Sequence, residues 1–217
     1  MLTVKPIDYN PFENGKEIEK IIFTNEPQRE IWLACIIGAA DANRAYNESF
    51  SLKLLGDLNV AAFTQATSTL IKRHEALRAT ISTNGEYLIV YKEMLVPMVV
   101  EDLTSLSIVE RNEAFSSFLK SNANMVLSIN EGPLLQMHLH KTGNDEHYFT
   151  LLIHHIIGDG WSIGVILEEI SKLYNASTTA SSVELDPPFQ ITDYASVEAS
   201  FKQSKQYQET LSYWQQQ

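Results

Sequence analysis

The chain has 217 residues, 44% hydrophobic and 20% charged, and its 16 Lys and Arg against 27 Asp and Glu give a formal net charge of −11. Length and apolar content suit one large globular domain or two small ones, with enough core to fold. The acidic balance repels phosphate backbones and no basic run reverses it locally, which argues against nucleic acid, while no uncharged apolar stretch nears the roughly 20 residues of a membrane span.

A polar leader opens the chain, and Pro6 and Asp8 interrupt any secretion signal. The single cysteine, Cys35, can form no internal disulfide, so a reducing cytoplasm is expected, with Cys35 a buried structural thiol. Lys20 to Phe23 suits a short strand. Thr24 or Asn25 then caps a helix with Pro27 in its first turn and Gly38 as its stop. Phe50, Leu52 and Leu54 alternate along a strand, and a helix from about Val60 to Leu77 carries Phe63, Leu70, Ile71 and Leu77 on one stripe. Asn84-Gly85 between A-T-I-S-T and E-Y-L-I-V-Y marks a hairpin.

A helix follows from about Leu106 to Ala123, with Val109, Phe115, Phe118 and Leu119 on it. Two strands come next, Leu134 to His140 and His147 to His155, and then a helix from about Trp161 to Tyr174 with Ile163, Ile166, Leu167, Ile170 and Leu173 on one face. Ala176 to Ser182 with Pro187-Pro188 reads as a linker, leading to a polar helix from about Thr192 to Gln217. The chain stops within Y-W-Q-Q-Q without a cap, so a further segment is expected. Together these elements predict an α/β or α+β lobe with a mixed sheet covered by helices.

Chemistry concentrates in H-H-I-I-G-D-G-W-S, His154 to Ser162. Alternation along the strand puts His155 on the face of Phe149, Leu151 and Ile153, and His154 on the opposite face. One metal bound by both is therefore disfavoured, and no Cys/His cluster at ligand spacing closes a site with Asp159. Two buried histidines beside an ordinary turn are the structural alternative. The functional one is a neutral imidazole at a strand's carboxyl end, accepting a proton from a nucleophile or orienting it. Gly160 and the first turn after it can offer backbone N–H groups to an oxyanion. Asp159, if buried there, needs a partner such as arginine. No G-x-S-x-G elbow or reactive cysteine supplies a covalent nucleophile, so direct acyl transfer between two bound substrates fits better.

The same stretch resembles the HHxxxDG motif of condensation domains of nonribosomal peptide synthetases; other acyltransferases carry a related HxxxDG. R-H-E-A-L-R-A-T-I (Arg73 to Ile81), P-Q-R-E-I-W-L (Pro27 to Leu33) and Q-I-T-D-Y-A-S-V (Gln190 to Val197) resemble further motifs of that family, in its order. Asn25, Pro27, Ala79, Ile81 and Val197 depart from the family pattern. Asp41 to Ser49 also resembles domains placed after a polyketide module.

The resemblance implies a chloramphenicol acetyltransferase-like N-terminal lobe over 1–175, with 176–217 leading to an absent C-terminal lobe. It implies amide formation between substrates held on the phosphopantetheine arms of upstream and downstream carrier domains, with no cofactor or metal bound directly and an adenylation domain nearby in the parent chain. His155 becomes catalytic alongside Gly160. His154, Asp159 and Arg78 become structural, with Arg78 the expected partner of Asp159 and Arg73 the runner-up. Trp161 and Ser162 become substrate-binding and point to the subtype joining L-configured substrates, while Gln28, Arg29 and Trp32 are read as scaffold. The alternatives are a coenzyme A-dependent acyltransferase, or a docking lobe inactive alone whose apolar inter-lobe face could pair with a second copy.

Overall fold

A computed structural model of the chain describes residues 16–179 and 181–217; the leader with Pro6 and Asp8 lies outside the described residues, as does Ala180 within the expected linker. The strands form two sheets. β1 (Ile18–Phe23), β4 (Tyr87–Tyr91) and β3 (Ala79–Ile81) make an antiparallel sheet in the order β1-β4-β3. β2 (Asn47–Leu55), β7 (Glu146–His154), β6 (Leu135–Gly143) and β5 (Met98–Asp102) make the larger sheet, antiparallel except where β5 runs parallel to β6. The expected single mixed sheet is thus a mixed sheet beside a small antiparallel one.

The hairpin forms as its Asn-Gly pair predicts. Gly85 takes φ +73°, and a Cβ there would overlap the Trp32 ring, so glycine serves both the turn and the packing. Trp32 lies on α1 (Glu26–Ala45), which Asn25 caps in a capping box with Gln28. Gly38 does not end that helix. The chain kinks at Ala39, at φ 48°, and helix resumes through Ala45.

α2 (Val60–Arg73) stops earlier than Leu77. His74 is extended and Glu75–Arg78 form a 3₁₀ turn. The Gln190 side chain explains the break: its Nε2 donates to Arg73 O at 2.8 Å and its Oε1 accepts from Glu75 N at 3.0 Å, satisfying groups that a continuing helix would have paired.

α2 and α4 (Gly160–Thr179) cover one face of the large sheet, where Phe63 meets Phe149 edge-on at 5.1 Å and Leu70, Ile166 and Ile170 join the buried core. α3 (Ile108–Ala123) covers the other, with Phe115 and Phe118 against His140 and Tyr148 or His138. α4 outruns the linker expected at Ala176 and runs through Thr179, with the hydroxyls of Thr178 and Thr179 bonded back to carbonyls one turn earlier.

The expected terminal helix is two, α5 (Ile191–Lys202) and α6 (Lys205–Gln215), divided where Ser204 caps the second by accepting from Tyr207 N. α5 is tied down by Thr192, which binds the buried Glu75 carboxylate. Burial alone would push Glu75 up, but Lys20 and Thr192 hold it below the usual carboxylate range. Among the described residues no helix is long and apolar enough to cross a membrane.

Candidate functional site

β7 ends at His154, and the chain turns through Ile156 and Ile157 into α4. The alternation expected from the sequence holds here. His154 is 0% exposed, whereas the His155 side chain is 40% exposed. Ile156 N–H donates to His154 Nδ1 at 3.2 Å, so that nitrogen is unprotonated and Nε2–H lies 3.9 Å from Cys35 Sγ. Burial, helped by the adjacent His155, lowers His154 to about 4, so it is a neutral anchor of the strand end. Cys35 is buried and free, and burial pushes its thiol up, away from nucleophilic use.

His155 belongs to the opposite surface. Its N–H bonds Tyr46 O at 2.8 Å, extending the β2–β7 pairing by one residue, and its Nδ1 lies 2.6 Å from Glu48 Oε1. The ring lines a cleft of about 280 Å³ with Gln28, Ile31, Ile157, Asp159 and Ser162. Gln28 closes the base of this site by donating to Ile156 O at 3.3 Å, which ties α1 to the turn after His155. Gly158 in that turn packs closely: a Cβ there would sit 2.9 Å from Ile153 Cδ1 and 3.3 Å from Ser162 Cβ, so a larger residue would displace a neighbour.

The expected Asp159–Arg78 pair does not form. Asp159 is exposed and caps α4, with its Oδ1 accepting from Ser162 N at 2.9 Å and Ser162 Oγ at 2.8 Å. Those two bonds, backbone first, hold its carboxyl below the usual range. The expectation assumed a buried charge, and solvent together with the helix end removes the need for an arginine. Arg78 is buried elsewhere: it binds Glu19 Oε2 at 2.7 Å and the carbonyls of Ile71, Lys92 and Tyr91, clamping the 3₁₀ turn to the small sheet. Nor is Arg73 on Asp159. It binds Glu169 Oε2 at 3.0 Å, beside His74, and so joins α2 to α4.

Gly160 starts α4 in the open, with nothing in the described residues within 4 Å of where a Cβ would be. Trp161 is 83% exposed and lines a neighbouring hollow of about 460 Å³ with Phe189 and Tyr194; Ser162 borders both spaces, though its hydroxyl is engaged with Asp159. Among the described residues, no group of three or more His, Cys, Asp or Glu is placed to hold a metal ion.

Glu48 is the site residue that the sequence did not reveal. It shares the parity of Phe50, Leu52 and Leu54, and the register Glu48↔Ile153 puts it on the face of His155. Only that register, between strands about a hundred residues apart, could have exposed it.

Comparison with known proteins shows the family and the fold. The family model for the condensation domain matches residues 18–217. Chondramide synthase cmdD of Chondromyces crocatus is 31% identical over 199 residues, 90% of this chain and 5% of that protein. Malpinin synthetase of Mortierella alpina is 29% identical over 192 residues, 86% of this chain and 2% of that protein. Among solved structures, the starter condensation domain of rhizomide synthetase RzmA has a TM-score of 0.82 at 22% identity, covering 91% of this chain and 48% of that one. The EpoB cyclization-docking bidomain from Sorangium cellulosum has a TM-score of 0.76 at 19% identity, covering 90% and 38%. The chain thus spans a small part of the curated synthetases and about half or less of these solved chains.

Proposed function

Because the chain belongs to the condensation-domain family, we propose that it is the N-terminal lobe of a domain that joins a carrier-bound acyl or peptidyl thioester to a carrier-bound aminoacyl group, in a nonribosomal or hybrid polyketide–peptide assembly line in the cytoplasm. The observation that carries this reading is the division of labour between the paired histidines: His154 is sealed in the core and neutral, while His155 opens on a cleft. The lobe extends past the expected boundary at about 175, since α4 runs through Thr179 and α5 is held on it by Gln190 and Thr192. The stretch beyond is assigned to lead to a C-terminal counterpart and an adjoining adenylation domain.

In the proposed reaction, two phosphopantetheine arms bring the reactants to His155. The acceptor amine attacks the donor thioester carbonyl, a C–N bond forms, and the C–S bond breaks. His155 orients the amine or takes its proton, which ends on the departing sulfur. The products are an amide and a free thiol. Much of the acceleration comes from alignment, since well-oriented pairs reach effective molarities of roughly 10⁵ M or more. Gly160 N–H, at the positive end of α4, is assigned to the oxyanion, and Trp161 with Ser162 to the substrate wall.

The test is to load both carrier domains and follow product by intact-protein mass spectrometry. The two-lobed domain should condense, and His155→Ala should abolish condensation with its far-UV spectrum unchanged. Condensation at the parental rate by that variant would overturn the assignment. In the same assay the 217-residue lobe alone should be inactive, since a tunnel between lobes then has one wall.

A further inference from the structure

We propose that Glu48 is the positioning residue of His155, fixing which ring nitrogen carries the proton and offsetting the charge the ring gains during transfer. The inference rests on the reading of His155 as catalytic and deepens it.

Three observations support it. His155 Nδ1 and Glu48 Oε1 are 2.6 Å apart, a separation at which two bare acceptors would repel. With Glu48 ionised, that closeness favours the tautomer carrying its proton on Nδ1, because a carboxylate only accepts. Nε2 is then left with its lone pair, the form that a base needs. Second, both groups are held by backbone. Glu48 pairs with Ile153 across β2–β7, and His155 N–H bonds the carbonyl of Tyr46, just ahead of β2. Third, the carboxylate that lines the cleft is turned to the helix end: Asp159 Oδ1 accepts from Ser162 N and from Ser162 Oγ.

The chemistry follows from that placement. As the ammonium proton of the tetrahedral species moves to Nε2, His155 becomes an imidazolium facing the Glu48 carboxylate. The developing positive charge is then opposed in place, without water having to reorganise. Glu48→Ala removes both the tautomer preference and the counter-charge, whereas Glu48→Gln keeps an oxygen acceptor and removes only the charge.

The experiment uses the intact two-lobed domain with its carriers, and ¹⁵N-histidine NMR assigned through a His155 substitution. For Glu48→Ala, kcat should fall by about tenfold or more, part of the roughly 10²–10⁴-fold that a positioned acid–base group supplies, with KM unchanged. The His155 signal should shift from the Nδ1–H form toward Nε2–H. Glu48→Gln should keep the Nδ1–H signal and recover part of kcat. If His155→Ala is inactive while Glu48→Ala condenses at the parental rate, or if the tautomer does not move, Glu48 has no such role and His155 keeps its own. If His155→Ala is itself active, the parent reading fails instead.

Discussion

Two charged residues show how burial decides what a side chain is for. Asp159 and Arg78 sit in motifs that suggest a buried pair, yet Asp159 faces solvent at a helix start and Arg78, 5% exposed, clamps carbonyls and Glu19. Their truncations should therefore differ in size. Asp159→Ala removes an N-cap, which typically costs about 1 kcal/mol. Arg78→Ala strands buried carbonyls and uncouples Glu19, a loss of the kind that runs to about 3–5 kcal/mol, toward the lower end because Glu19 is one-third exposed. Urea unfolding of each variant measures both numbers. Equal losses of several kcal/mol would mean that Asp159 is coupled to a buried charge after all.

At the level of elements, the sequence was most legible where periodicity and local caps act alone. The strand alternation through Phe149, Leu151 and Ile153 correctly separated His154 from His155, and Asn84-Gly85 marked its hairpin. Boundaries failed where a distant side chain intervened. Gln190 ends α2 from more than a hundred residues away, and no local pattern announces it. Gly38 misled in the opposite direction, since one positive-φ residue at Ala39 lets the helix bend and continue. The candidate site divides in the same way. His155 was visible from its own strand, but Glu48 needed the β2–β7 register, a product of tertiary packing. The motifs do not announce the Arg78 partner, because the turn at Asp159 faces water and Arg78 pairs with Glu19 instead.

For the whole molecule, histidine burial sets the response to acid. His138, His140, His147 and His154 are four of six histidines, and each is held below its usual 6.5, with burial the largest cause every time. Among the described residues His140 and His147 also leave Nδ1 unpartnered. In the unfolded chain these rings bind protons below about 6.5, while the fold keeps them neutral, so the unfolded state carries more protons and stability falls as pH drops. For His154 the window runs from 6.5 down to about 4, a loss of about 3 kcal/mol at its foot by the value of one pH unit. The lowered carboxylates, Asp102, Asp159 and Glu75 among them, act in a separate window: they stabilise above their unfolded values and lose that contribution only as pH falls further. Urea unfolding between about pH 7 and 5.5 should show stability declining while ordinary carboxylates are still almost fully ionised. His154→Asn will lower stability throughout by disturbing the core, so the slope against pH is the informative quantity. That slope should flatten by the largest single share in this variant; a slope equal to the parent's would place the acid sensitivity elsewhere in the chain.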